Sequence, residues 1–219
     1  MKFNTRTLQV LKNFASINPS IMFKPGNKLA TISAGKTVMA RANIDQDIEG
    51  AFAIYDLSRF LGTLSLFNEP ELTVQEKYME ISQGKRKINY TFTEPSLIVT
   101  PPEKDIKLPD PEVAFSISAD ELAEVMKALS VLSLPEIAVV GDGNSIAVQA
   151  VDSKNPSGDI YSVDVGTTSA RFRMIIRAEN IKLLPGDYNV EISSKGLSRF
   201  SSTDIEYFIA VESNSTYEG

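Results

Sequence analysis

The chain has 219 residues, a formal net charge of −6 and 42% apolar side chains, and it contains no cysteine, histidine or tryptophan. Disulfide bonds, thiol chemistry, Ser-His-Asp triads and zinc–histidine sites are therefore excluded. No apolar run reaches the length of a membrane span and the N-terminus lacks the pattern of a signal peptide, so we expect a soluble intracellular protein without a membrane partner.

Charge is distributed unevenly along the chain. The first acidic residue is Asp45, and residues 1–44 carry seven lysines and arginines. Such an asymmetry favours a surface that faces a polyanion on an otherwise acidic body. The alternative is a chance cluster of bases on a solvated face.

The first predicted helix begins at Asn4 or Thr5. Its apolar stripe, at helical spacing, consists of Leu8, Leu11, Phe14 and Ala15. The opposite face is basic and polar, and it carries Lys2, Arg6 and Lys12 without a single acid. This face is the first candidate for contact with phosphates.

Strands and a shorter helix are predicted for the rest of the first half. Gly26 and Asn27 tolerate positive φ and predict a hairpin between apolar strands on either side of them. Two further strands cover 37–44 and 50–56. Asp56 is expected to cap a second helix that carries Arg59 opposite its apolar residues. The half closes with three short strands at 72–75, 78–82 and 87–92.

A proline-rich connector follows at residues 96–112. Prolines stiffen it, yet it also carries apolar side chains that a solvated spacer does not need, which are Leu97, Ile98, Val99, Ile106 and Leu108. We therefore place a first domain at 1–95 and a second at 113–219, with the connector between them.

The second half repeats the order of predicted helices and strands of the first. Ser118 and Glu121 form a capping box at the start of a helix that carries Lys127 on its outer side. Asp142 and Gly143 predict a hairpin, and strands follow at 159–165 and 171–176. A short fourth helix is predicted over 177–186, with Arg177 and Lys182 on its surface, followed by strands at 188–193, 198–202 and 206–212.

Corresponding elements of the two halves lie 114 to 116 residues apart, as Leu8 and Leu122 or Leu72 and Tyr188 illustrate. The pattern predicts a tandem duplication. The expected fold class is α+β, with two domains that each pack two helices on antiparallel sheet.

No catalytic or metal site emerges from the pattern, and we expect neither enzymatic activity nor a cofactor. The segment "GDGNSI" lies between two strands and lacks lysine, so it predicts a hairpin turn instead of a phosphate loop. Asp120, Glu121 and Glu124 are typical of acids at a helix start, although a metal site is the alternative.

Three stretches resemble one known family. They are "LKNFASINPSIM" at 11–22, "AIYDLSRFLGTLSLFNE" at 53–69 and "LLPGDYNV" at 183–190. Each is similar to the DNA polymerase sliding clamp of T-even-type bacteriophages, and the resemblance extends over the chain, including the connector.

The resemblance implies the DNA clamp fold and a function in replication. Members close as homotrimers around duplex DNA without sequence preference and tether the replicative polymerase. An ATP-dependent clamp loader places them on DNA, and late-transcription factors of the phage are further partners. The expected location is the cytoplasm of the infected bacterial host.

Three sets of residues follow from the resemblance by position. The DNA-facing set lines the hole of the ring and consists of Lys2, Arg6, Lys12, Arg59, Lys127, Arg177 and Lys182. The joint between subunits is assigned to strands 87–92 and 159–165, with Tyr90, Phe92, Tyr161 and Val163. A groove for partner peptides is assigned to Ile98, Val99, Ile106, Leu108 and Phe208.

Two other functions stay open at this point. One is a structural or assembly protein built from a duplicated sheet-and-helix module, without DNA. The other is a hydrolase with a carboxylate site, which the lack of convergent acids disfavours. For the groove, the alternative is that the connector's apolar residues only pack the linker onto the sheets.

Overall fold

The structure is a computed structural model that describes residues 1–104 and 106–218. Its internal contacts divide the chain into two units, Met1–Lys104 and Asp105–Gly219. The division falls inside the predicted connector, whereas the predicted bounds of the domains stay a prediction. Among the described residues, no helix combines the length and the apolar character needed to cross a membrane.

The first unit contains two helices and seven strands. In chain order they are α1 (Thr5–Ile17), β1 (Ile21–Phe23), β2 (Gly26–Ile32), β3 (Val38–Ile48), β4 (Phe52–Ile54), α2 (Leu57–Leu64), β5 (Glu71–Val74), β6 (Tyr78–Gln83) and β7 (Arg86–Thr91). All pairings are antiparallel: β1 with β4, β2 with β3, and β5, β6 and β7 in that order. A 3₁₀ turn at Pro95–Leu97 follows β7.

Helix α1 begins directly after its N-cap residue, Asn4. The side chain of Asn4 accepts a hydrogen bond from the Thr7 amide at 2.8 Å, which confirms the predicted start. The buried residues are Thr7, Val10, Leu11 and Phe14, so the buried stripe includes Val10 whereas Leu8 of the predicted stripe is only half-buried. The helix contacts α2 as well as β2 and β3.

Helix α2 brings the aromatic core of the first unit together. Asp56 caps it by accepting from the Arg59 amide at 2.8 Å, as predicted. The buried ring of Phe60 packs edge-on against Tyr90 at 5.1 Å between centroids. Phe52 stacks on Phe23 at 4.6 Å and on Phe92 at 4.7 Å, so the end of β7 is fixed to the core.

Over residues 106–218, the second unit contains one α-helix and nine strands. In chain order they are β8 (Val113–Ile117), α3 (Ala119–Val131), β9 (Glu136–Asp142), β10 (Ser145–Val151), β11 (Tyr161–Thr167), β12 (Arg171–Arg177), β13 (Tyr188–Ser193), β14 (Leu197–Ser201), β15 (Ile205–Ala210) and β16 (Thr216–Glu218). Strands pair antiparallel in the orders β11-β10-β9-β12-β16 and β15-β14-β13-β8. Helix α3 packs on β10 and β11.

The predicted duplication is confirmed in the pairing of strands. Pairs β1–β4 and β2–β3 of the first unit correspond to β9–β12 and β10–β11 of the second. Leu72 exchanges two backbone hydrogen bonds of 2.8 Å with Met1. In the second unit, Tyr188 and Ile117 are the corresponding pair of antiparallel partners. Both members of the second pair lie 116 residues after those of the first.

The predicted hairpin at Gly26 and Asn27 is wrong. Strand β1 pairs with β4, and β2 starts at Gly26, whose φ of 104° marks the change of direction. Pro25 stands between the two strands and has no amide hydrogen to offer a ladder. The hairpin of the second unit is confirmed: Gly143 has φ 92°, and Asp142 accepts from the Asn144 and Ser145 amides.

The predicted fourth helix is also wrong, and Arg177 and Lys182 therefore lie on no helix. Residue Arg177 ends β12, and only a 3₁₀ turn at Ala178–Asn180 follows. The backbone of Leu184 is held by two tyrosines, because its amide donates to the Tyr207 hydroxyl at 3.1 Å and its carbonyl accepts from Tyr188 at 2.6 Å. Pro185 further disfavours a helical conformation at Leu184.

Candidate functional site

The outer face of α1 is polar, and the helix itself contains no acid. Thr5, Gln9, Lys12 and Ser16 are exposed along it, whereas Arg6 is half-buried. Lys2 precedes the helix, and its ammonium group lies 3.8 Å from the Glu71 carboxylate. Lys12 forms no ion pair with any described residue, so its charge is fully available to an anion.

Arg59 lies on the exposed side of α2, at the rim of a cleft between α2 and the edge strand β7. The cleft has a volume of about 360 Å³ and is lined mainly by Tyr55, Arg59, Leu66, Ile88 and Tyr90. The Tyr90 hydroxyl donates to the Asp56 carbonyl at 3.1 Å. Burial raises the pKa of Tyr90, which the nearby Arg59 guanidinium partly opposes.

Helix α3 has a mixed outer face. The capping box of Ser118 and Glu121 is confirmed, and it places Glu124 and Lys127 on the exposed side of the helix. The carboxylate of Glu124 accepts a 2.9 Å hydrogen bond from the hydroxyl of Tyr161 in β11. Glu124 is therefore fixed above the edge of the sheet, while Lys127 forms no ion pair with a described residue.

The charge of Arg177 is compensated locally. Its guanidinium lies 3.0 Å from Glu212 and 3.4 Å from Glu179. The Glu212 carboxylate is the main reason why the pKa of Arg177 is raised. Lys182 is exposed beyond the 3₁₀ turn. Of the residues predicted to face DNA, Lys2 and Arg177 thus carry neighbouring acids, which reduces their attraction for phosphate.

The two strands assigned to the joint are both edge strands. Within the described residues, β7 pairs only with β6 and β11 only with β10, so each has a row of unpaired backbone groups. Tyr161 and Val163 are half-buried on the face of β11 that α3 covers. Tyr90 and Phe92 are engaged with Phe60 and Phe52 of their own core.

The residues assigned to the peptide groove differ in exposure. Val99 is 43% exposed, and its carbonyl accepts from the Asn18 side chain at 3.2 Å. Ile98, Ile106 and Leu108 are half-buried. Phe208 lies in β15 and is only 3% exposed, so its ring is covered by the protein. The groove stays a prediction for all of them.

Two features of this surface escaped the sequence analysis. The cleft beside β7 joins residues that are more than 20 positions apart, and no local pattern reports such a neighbourhood. The bond between Tyr161 and Glu124 links residues 37 positions apart. Among the described residues, no group of three or more acidic side chains is arranged to hold a metal ion.

Family models match both halves of the chain. The model described as "DNA polymerase processivity factor" matches residues 3–100, and "gp45 sliding clamp, C terminal" matches residues 114–213. Among curated proteins, the sliding clamp of Vibrio phage KVP40 is 32% identical over 97% of this chain and 99% of its own length. The sliding clamp of Enterobacteria phage T4 is 31% identical over the whole of both chains.

Solved structures share the fold. Archaeoglobus fulgidus PCNA, bound to the C-terminal region of FEN-1, has a TM-score of 0.69 at 15% identity, covering 95% of this chain and 96% of its own. The Helicobacter pylori beta clamp has a TM-score of 0.69 at 15% identity, and this chain spans 65% of it. These likenesses confirm the predicted fold class of two tandem domains, apart from the missing fourth helix.

Proposed function

This chain belongs to the sliding clamp family of phage DNA polymerase processivity factors, and from this premise we propose that it works as a homotrimeric ring. A clamp encircles duplex DNA and tethers the polymerase to its template. The chain carries two copies of the clamp repeat, so three chains supply the six repeats that the resemblance to phage clamps implies. A single observation supports the ring best: among the described residues, each unit contains an edge strand with only one pairing partner, β7 in the first and β11 in the second.

Edge strands of this kind are complementary by geometry. When β7 of one copy pairs with β11 of the next, the unpaired amides and carbonyls of both strands find partners. Tyr90, Phe92, Tyr161 and Val163 lie in or beside these strands. The first two are fixed to their own core, so we assign them to supporting the strand and assign the contact itself to the backbone and to residues that flank it.

The DNA contacts that we propose are contacts to phosphates. Lys12 and Lys127 are exposed and form no ion pair with a described residue. Arg6 and Lys182 join them in the proposed DNA-facing set, together with Lys2 and Arg177, whose charges are partly compensated. Arg59, which the resemblance assigned to this set, borders the cleft beside β7 instead. Contacts to phosphates carry no sequence information, so the ring slides instead of settling at one site.

The chain acts as an accessory protein and makes or breaks no bond itself. Retention is topological, because a closed ring leaves DNA only at an end or when it opens. Loading onto closed DNA therefore needs an ATP-dependent clamp loader. The polymerase, the loader and late-transcription factors are proposed to dock peptides on Ile98, Val99, Ile106 and Leu108, with Phe208 as part of the supporting core. The proposed location is the cytoplasm of the infected bacterium.

Retention on circular DNA tests this function. The protein is loaded with loader and ATP onto a nicked plasmid, and the complex is separated by gel filtration before and after linearisation. We expect retention on the circle and loss from the linear form, with a native mass of three chains by light scattering. An assembly protein without a DNA function shows no retention on either form.

A further inference from the structure

The two free edges carry opposite charge. Residues 85–91, which lead into and form β7, include Lys85, Arg86 and Lys87 and no acid. Residues 159–167, which lead into and form β11, include Asp159 and Asp164 and no base. Lys87 pairs with Glu80 within its own sheet at 3.5 Å, so its charge is partly offset by an acid. The Arg86 guanidinium donates to the Gln83 side chain at 2.6 Å and lies over the Phe67 ring, and neither group neutralises its charge.

The helices beside the edges continue this difference. Arg59 is the only charged residue within α2, although its cap, Asp56, brings one acid nearby. Helix α3 carries Asp120, Glu121 and Glu124 against the single base Lys127. Each edge strand therefore lies beside a helix whose net charge matches its own.

Exposed apolar side chains lie near Arg59 in the first unit and near Glu124 in the second. Tyr55 is 64% exposed and Leu66 is 62% exposed at the cleft that Arg59 borders. In the second unit, Val131 is 72% exposed, and it lies seven residues after Glu124 on the same side of α3. Ile160, directly before β11, is 57% exposed. Large apolar residues at such exposure mark surfaces that a partner covers.

We propose that a second copy of this chain fills the cleft beside β7, and that Arg59 of one copy forms an ion pair with Glu124 of the next. This proposal rests on the ring proposed above, and it names the side chains that form the contact between neighbouring copies. Pairing of β7 with β11 brings the strands to about 4.8 Å, so α2 and α3 come to lie side by side. Val131 and Ile160 then supply the apolar surface that the cleft accepts.

This arrangement gives Arg59 a different neighbour from the one that the sequence predicted. Arg59 borders the cleft and Tyr90, next to the edge strand, and this position suits a joint better than a DNA-facing role. Glu124 is oriented by the Tyr161 hydroxyl on its own edge strand. The proposal also explains why an acid lies on a helix that is expected to face DNA, because Arg59 of the next copy neutralises Glu124.

Opposite charge further decides which edges pair. Two copies of β7 repel each other through their bases, and two copies of β11 repel through their acids. A joint between like edges is therefore disfavoured, and only a heterologous joint remains, which closes into a ring when the rotation between copies permits.

Charge reversal tests the ion pair. We expect Arg59→Glu and Glu124→Arg each to raise the protein concentration at half-assembly at least about tenfold, measured by light scattering over a dilution series. The double variant, which carries both changes in one chain, restores the attraction at every joint and is expected to return to within about threefold of the unchanged protein. Arg59→Gln and Glu124→Gln serve as milder replacements where a reversal lowers solubility.

The matched control is the exposed ion pair of Lys195 and Asp110, whose atoms lie 3.3 Å apart in the second unit. Its reversals, Lys195→Glu and Asp110→Lys, are expected to leave assembly unchanged. Circular dichroism verifies that every variant is folded.

The outcomes separate this proposal from the ring itself. If the unchanged protein forms trimers and neither reversal weakens them, the ion pair is refuted while the ring stands. If both reversals weaken assembly and the double variant does not recover, the pairing of Arg59 with Glu124 is refuted. If the unchanged protein stays monomeric at every concentration and under chemical cross-linking, the ring fails and the joint fails with it.

Discussion

The hydroxyl of Tyr161 donates a 2.9 Å hydrogen bond to Glu124, and this bond joins the edge strand β11 to helix α3. The carboxylate stabilises the protonated phenol and repels the phenolate. The hydrogen bond from Tyr161 to Glu124 is the largest cause of the raised pKa of Tyr161, with smaller contributions from burial and from the charge of Glu124.

The first prediction concerns the titration of Tyr161. We expect its phenol to ionise above the ordinary value of about 10 and to move back towards that value in Glu124→Gln. Because the pKa of Tyr161 is raised in the folded state, the bond to Glu124 stabilises the folded protein fully below about pH 10. This stabilisation is lost as the pH rises through the folded pKa. Tyrosine Cζ chemical shifts in ¹³C-labelled protein measure it, with Tyr161→Phe for assignment. Asp120→Asn removes a charge from the same helix and controls for a general effect; an equal shift there contradicts the prediction.

The second prediction concerns the segment that replaces the fourth helix. Tyr207→Phe removes the acceptor for the Leu184 amide while it keeps the buried ring. We expect a loss of about 1 kcal/mol or more in the free energy of unfolding, since a polar group inside the protein loses its partner. Urea denaturation measures it. Tyr78→Phe is the control, because its hydroxyl has no hydrogen-bond partner among the described residues; equal losses in both variants are the contradicting result.

The third prediction concerns the DNA-facing set. Arg6→Glu combined with Lys12→Glu is expected to shorten retention on circular DNA while the native mass stays the same. The logarithm of the affinity for DNA should depend less steeply on the logarithm of salt concentration, by about 0.9 for each phosphate contact that is lost. Lys195→Glu changes the net charge by half as much and lies on a turn between two strands. If it has half the effect of the double variant, net charge and not position explains the result.

The fourth prediction concerns the connector. Ile106→Ser combined with Leu108→Ser is expected to weaken polymerase binding more than assembly, because both side chains are half-buried in the segment assigned to the groove. Calorimetry with the purified polymerase measures binding, and light scattering measures assembly. Leu97→Ser, at a residue that is 65% exposed, controls for loss of an apolar side chain elsewhere in the connector. A larger effect on assembly than on binding assigns Ile106 and Leu108 to structure.

Local chemistry explains which parts of the fold could be predicted. Asn4, Asp56 and Ser118 each cap the helix that they precede, because a cap depends on a side chain and on amides two or three residues away. The same holds for the turn at Gly143, where Asp142 supplies the hydrogen bonds within three residues.

The errors share a physical origin as well. The segment at 177–186 has helical spacing, but Tyr207, which lies 23 residues after Leu184, takes the amide that a helix needs. Strand β1 was assigned to the nearest strand in sequence, whereas its partner β4 begins about 30 residues later. For the proposed joint, the sequence predicted the two strands but not the charged side chains beside them. Arg59 lies on α2 and Glu124 on α3, and their closeness to the edge strands depends on packing that no local pattern contains.

Edges that differ in charge also give the assembly a direction. In a closed ring with a basic edge meeting an acidic edge at every joint, all copies point the same way around the circle. Such a ring has two chemically different faces, and all copies present their connector segments at the same height along the axis of the ring. In the proposed ring, a polymerase that docks on these segments is therefore held in one orientation along the duplex.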